Sequence, residues 1–277
     1  MNYKNEIEKF VIKGYNNINT QLITYNKHDF VLKNRKVNFI TTPPKDFKYH
    51  RWAASLKSSQ AFAYNVFSGV KNRNLLFEFP MEVFDRPAQI DVMFEDEESQ
   101  TIELFEVKAF EIINLGVNKI VFEDKYFTKA QYIHIPFDIA LKFIDFLNTV
   151  IKNFENQKIY GGGIKQLCSH LLGILNTMDK PNYMNKKFKL YSFCLDNSIN
   201  DKLDNPFYDK FEQDIKNYKE TLKTFKNLVD EFLKDIKIDS RVEYCGFLSA
   251  SEYINKNEKL IGKENYDYVM KRYLYSD

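Results

Sequence analysis

Apolar residues recur along this chain with two periods, one near 3.6 and one of two, and the two periods occupy different stretches. Over 58–68 the residues Ala61, Tyr64, Val66 and Phe67 face one side of an expected helix that Gly69 ends. Three strand-like runs come next in the chain, at 75–84, 89–94 and 101–110. Helical spacing returns over 137–154, through Phe137, Leu141, Ile144, Leu147, Ile151 and Phe154. After Gly161-Gly162-Gly163 another helix is expected at 164–175, then a strand at 189–195. From Phe207 the apolar positions Phe211, Ile215, Tyr218, Leu222, Phe225, Val229, Phe232 and Ile236 alternate steps of four and three. They make a seam of about four heptads on an otherwise charged helix. A last strand at 242–248 and a short basic and aromatic tail close the chain. The first segment reads as irregular, with Thr41-Thr42-Pro43-Pro44 stopping whatever precedes it.

Composition narrows the class. With 277 residues, 44% hydrophobic and 28% charged, the chain matches soluble globular proteins and has the length for one large domain with elaborations. Cys168, Cys194 and Cys245 are odd in number and far apart, which suits reduced core thiols in a cytoplasmic protein better than disulfides or a zinc site. No apolar run approaches the ~18 residues of a membrane helix, and the first residues lack a signal-like apolar stretch. Export and membrane insertion are therefore not expected. The net charge of +2 is uninformative, but its distribution is not. Residues 1–57 hold eleven Lys or Arg against four Asp or Glu, interleaved with Tyr15, Tyr25, Phe30, Phe39, Tyr49 and Trp52. A phosphate-contacting surface needs that mixture, although a solvated face over ordinary core aromatics would have it too.

The chemistry concentrates in one expected hairpin, 89–94 and 101–108 around an acidic turn. Folding symmetrically about Glu98 and Ser99 pairs Asp91 with Glu106, with Cβ atoms roughly 4.5–5.5 Å apart. Because strand side chains alternate, Lys108 then shares the face of Asp91 and Glu106, while Ile90, Val92, Phe105 and Val107 cover the other. Two such carboxylates suit Mg²⁺, which takes one or two protein carboxylates and leaves its other positions to water and phosphate. Lys108 would orient the water or offset phosphate charge. The alternative is an edge strand whose charged residues face solvent by chance, and the loose turn leaves room for a one-residue slip.

These residues resemble the signature of the PD-(D/E)XK nuclease superfamily, an acidic residue on one core strand and Glu-X-Lys on the next: here Ile90-Asp91 and Glu106-Val107-Lys108. Pro87 stands four residues before Asp91 rather than adjacent to an acid. The stretch 58–67 looks like the first core helix of the restriction-endonuclease-like subgroup, and 166–173 like its second. The resemblance implies an α/β fold with an αβββαβ core and a central mixed sheet flanked by helices. It spans 58–195 of a single nuclease domain, 1–277. A basic elaboration, 1–57, precedes the core, and a C-terminal one, 196–277, carries the long amphipathic helix and a final strand.

The same resemblance implies a Mg²⁺-dependent endonuclease, with Mn²⁺ able to substitute, acting on double-stranded DNA as a type II restriction enzyme does. Asp91, Glu106 and Val107 would be the metal positions, with Asp91, Glu106, Lys108, Gln166 and Gln60 catalytic. At Gln60 an amide stands where the family often has a metal-linked Glu, which narrows the site to one metal position. His170, one turn after Gln166, and the backup carboxylates Glu78 and Glu82 complete the candidates. Two other readings stay open: a non-enzymatic protein dimerising through 207–236, and the same nuclease fold acting on RNA or structured DNA. A cutter of both strands would also gain from a homodimer.

Overall fold

The computed structural model describes residues 3–18, 25–26, 31–71, 73–112, 119–157, 159–196 and 207–274. In chain order the elements are α1 (Tyr3–Asn16), β1 (Tyr25–Asn26), β2 (Val31–Leu32), α2 (Ser59–Phe67), β3 (Asn74–Met81), β4 (Ala88–Asp96) and β5 (Thr101–Lys108). They continue with α3 (Phe137–Phe154), α4 (Gly161–Thr177), β6 (Lys187–Cys194), α5 (Phe207–Asp235), β7 (Val242–Ser249), α6 (Ala250–Lys256), α7 (Glu258–Ile261) and α8 (Lys263–Arg272). Among the described residues no helix is long and apolar enough to cross a membrane.

The fold is α/β. A five-stranded mixed sheet runs β3-β4-β5-β6-β7, antiparallel through β5 and parallel from β5 to β7. Helices cover both of its faces, so the central strands bury both sets of side chains. On one face Phe67 of α2 packs against Phe94, Phe105 and Phe193. Ser58 caps α2, its side chain accepting from the Ala61 N–H. On the other face α4 lies over β3 and β4, while α5 covers β7 and packs on α3. Gly173 lets α4 approach β3: a Cβ there would meet the Met81 Cβ at 2.7 Å.

The strand expectations are met within a few residues, and α3 spans 137–154 as expected. Three expectations need correction. The first segment is not irregular throughout: Ile7, Val11 and Tyr15, four apart, are buried on one face of α1, which packs on α8. The tail is three helices, not a short extension, and its Arg272 is buried with its guanidinium donating to Asn38. The glycine triplet opens α4 rather than breaking the chain before it. Gly163 sits where a Cβ would come 2.7 Å from the Tyr160 ring, so close packing requires glycine there.

The 207–236 seam is covered by the chain itself. Phe211, Tyr218, Leu222, Phe225, Val229 and Phe232 are buried, with Phe225 against Tyr244 of β7 and Phe232 stacked 4.8 Å from Phe146 of α3. The side chains of Tyr25, Phe30 and Phe207 lie outside the described residues.

Candidate functional site

The β4–β5 ladder pairs Met93 with Leu104 and ends at Val92 with Phe105, and the same register continued by one residue brings Asp91 opposite Glu106. The register is locked from both sides. Ile90, Val92, Phe105 and Val107 are fully buried, and the turn between the strands is tightened where the Asp96 carboxylate accepts from the Glu98 N–H. A one-residue slip would turn the apolar set over to the wrong face. Asp91 Oδ2 accepts the Val107 N–H at 2.7 Å, so the carboxylate is held by the strand beside it. The Val107 side chain points into the core, so only its main chain faces Asp91.

Helix α4 delivers two more groups. His170 Nε2 is 2.6 Å from Glu106 Oε2, and the Lys108 ammonium contacts the other Glu106 oxygen. Lys108 Nζ also donates to Gln166 Oε1 at 3.0 Å. Gln166 and His170 are one turn apart, so one face of α4 meets the polar face of the hairpin. Glu106, Lys108 and His170 are each at most 4% exposed. His170 Nδ1 is buried without a hydrogen-bond partner among the described residues.

Charge explains which groups ionise. Burial opposes a charge on Glu106, but the Lys108 ammonium and His170 outweigh it and pull its pKa down to about 2. Burial likewise opposes the charge on Lys108, and the carboxylates of Glu106 and Asp91 reverse that, holding the amine protonated. Asp91 goes the other way: burial, then repulsion from Glu106, raises its pKa well above the ordinary carboxylate value. The site therefore has a deficit of positive charge at Asp91.

The third strand adds a carboxylate. Pairing of β3 with β4 runs through Phe77↔Val92, lapses, and resumes at Phe79↔Ile90, so the omitted position, Glu78, is the one opposite Asp91. Glu78 has φ 52°, a left-handed conformation costly for a residue with a Cβ. Its carboxylate accepts from Gln60 Nε2 at 2.8 Å, and burial raises its pKa. Gln60 also accepts the His50 N–H and donates to the Lys48 carbonyl, both at 2.8 Å. Gln60 has no hydrogen bond to Asp91, Glu106 or Lys108 among the described residues; it reaches them through Glu78 and ties α2, β3 and the 48–50 segment together. Glu82 is outside the site, exposed and paired with Lys180.

A cleft of about 620 Å³ opens here, lined by His50, Glu78, Asp91, Gln166 and His170 among others. The sequence pattern gave no sign of His50. The position of Glu78 would come from the same pairing arithmetic as the hairpin, had the turn between β3 and β4 been placed.

Among the described residues no three His, Cys, Asp or Glu side chains form a metal-holding group. The donors present still fit a hard cation that needs only two carboxylates. Asp91 Oδ1 accepts no hydrogen bond among the described residues, and a divalent charge would relieve the repulsion that raises Asp91. Two carboxylates with no convergent thiolate are donors of the hard-cation type rather than the zinc type, and both Glu106 oxygens are already engaged by Lys108 and His170. No family model, curated protein or solved structure matches this chain.

Proposed function

We propose that this chain is a Mg²⁺-dependent endonuclease with a restriction-endonuclease-like PD-(D/E)XK core, hydrolysing double-stranded DNA as type II restriction enzymes do. The observation that carries the reading is the buried cluster of Glu106, Lys108, Gln166 and His170 behind a cleft that Asp91, Gln166 and His170 line. The order α2-β3-β4-β5-α4-β6, with α3 inserted, supports it. The preference for DNA comes from the resemblance of the hairpin and its flanking helices.

Asp91 and Glu106 would hold the cation, Mg²⁺ or a substituting Mn²⁺, with the Val107 main chain beside them. A bound divalent ion supplies Lewis acidity and lowers the pKa of a coordinated water. The residues do the rest. Lys108, which the neighbouring carboxylates hold protonated, offsets charge building on the scissile phosphate and orients the attacking water. Gln166 accepts from that ammonium and fixes its direction, and His170 fixes the Glu106 carboxylate.

Incubation of purified protein with supercoiled plasmid panels tests this. Cleavage is expected with Mg²⁺, and is expected to vanish with EDTA and in Asp91→Ala and Lys108→Ala. Cleavage that persists in Asp91→Ala overturns the assignment.

A further inference from the structure

The chain has one tryptophan, Trp52, and it is 53% exposed. A single exposed aromatic is ordinary on a protein surface and means little alone. The surroundings of Trp52 are less ordinary. The Arg51 guanidinium lies 5.2 Å from its ring, and Arg35 lies 4.1 Å from the ring of Tyr49. Lys33, Arg35, Lys36, Lys45, Lys48 and Arg51 are all exposed, against the single acid Asp46 in the same segment. None of these cations forms an ion pair among the described residues, whereas many lysines elsewhere do. This surface is left electrically unsatisfied.

The backbone beneath it is firmly held. The Ala53 N–H donates to the His50 carbonyl, closing a turn that carries Arg51 and Trp52 outward. Buried Asn38 donates to the Ala53 and Ser55 carbonyls at 2.7 and 2.8 Å, and Arg272 donates to Asn38 in turn. Gln60 bonds the same segment at Lys48 and His50, and through Glu78 ties it to the site. Of this segment His50 lines the cleft that holds Asp91, Lys48 lines the adjoining pocket across Glu78, which borders both, and Trp52 lies within about 7 Å of chain from His50.

We infer that residues 48–52 are the strand-contacting wall of the cleft: Lys48 and Arg51 hold phosphates of a DNA strand, and the Trp52 indole stacks on a base displaced from its pair. Exposed rings beside unpaired cations are the combination that grips a strand through base faces and backbone together. The choice of DNA rests on the nuclease reading proposed above; the stacking rests on the geometry of this surface.

Because Trp52 is the only tryptophan, its emission reports the contact directly. The full chain in EDTA, where no cleavage is expected, is titrated with a fluorescein-labelled duplex carrying a short single-stranded gap and with the same duplex ungapped. Saturable quenching of Trp52 by the gapped DNA is expected, with the midpoint given by anisotropy of the label. Trp52→Ala should bind roughly 5- to 100-fold more weakly, Trp52→Phe should recover most of the loss, and neither should shift the melting temperature. Lys48→Ala and Arg51→Ala should each flatten the salt dependence by about one phosphate contact.

Binding seen by anisotropy without any change in Trp52 emission overturns the inference while leaving the nuclease reading intact. Equal affinity of wild type and Trp52→Ala does the same, whereas no binding at low salt overturns the inference and counts against the nuclease reading as well. Quenching by gapped DNA in a protein that cuts none of the plasmids supports the wall and counts against the nuclease reading instead.

Discussion

Asp91 and Glu106 face each other across two strands, yet they respond to pH in opposite directions. Glu106 has Lys108 and His170 on its oxygens and stays ionised; Asp91 has one N–H and a like charge, and favours its proton. The folded protein therefore binds the Asp91 proton more tightly than the unfolded chain does. Its stability falls as pH rises from the ordinary carboxylate range through the raised Asp91 pKa. Glu106 has the reverse effect, stabilising above that range and losing the contribution as pH drops toward about 2. Asp91→Asn should thus melt above wild type at pH 8 without divalent ions, the gap narrowing toward pH 4, as thermal scans at a series of pH values will show. Mg²⁺ should raise the wild-type melting temperature and leave Asp91→Asn nearly unmoved. Replacing His170 by Ala strips a buried carboxylate oxygen of its partner. That should cost about 1–3 kcal/mol, read from the urea midpoint.

Elements place these residues, and their legibility in the sequence was uneven for physical reasons. The hairpin was readable because apolar and polar residues alternate around Asp91 and Glu106 and the turn is nearly symmetric, so one pairing buries Ile90, Val92, Phe105 and Val107 together. Helix α5 was readable from its seam, but the seam alone does not say whether a second copy or its own sheet covers it. Phe225→Ala should cost about 3–5 kcal/mol, with a melting temperature independent of protein concentration if the seam is internal. A concentration-dependent melt would instead point to an intersubunit seam. Helix α1 was missed although Ile7, Phe10, Val11 and Tyr15 follow helical spacing, and its cover by α8 at the other end of the chain leaves no local trace. The left-handed turn at Glu78 was hidden because no glycine or asparagine marks it. Glycines misled in the other direction at α4. Gly→Ala in a helix interior ordinarily gains up to about 1 kcal/mol. At Gly173 the clash with Met81 should reverse the sign, lowering stability by about 1–3 kcal/mol on chemical denaturation.

At the scale of the whole molecule, the two ends of the chain meet around the sheet. Arg272 of α8 reaches Asn38, Asn38 holds the 53–55 backbone, and β7 completes the sheet on the far side of β6. The basic segment, read from sequence only as an excess of lysine and arginine, is thereby anchored to the core, and its His50 lines the cleft that holds Asp91. Tertiary links of this kind leave no trace in local periodicity, which is why Gln60 was legible as a polar helix position but its partners Glu78, Lys48 and His50 were not. The central claim is that Asp91 with Glu106 and Lys108 cuts DNA with a divalent cation. The most direct measurement is Mg²⁺-dependent cleavage of a plasmid panel by wild type beside Asp91→Asn, the variant expected to fold at least as stably. Cleavage by wild type and none by Asp91→Asn is expected; equal cleavage by both contradicts the assignment of Asp91.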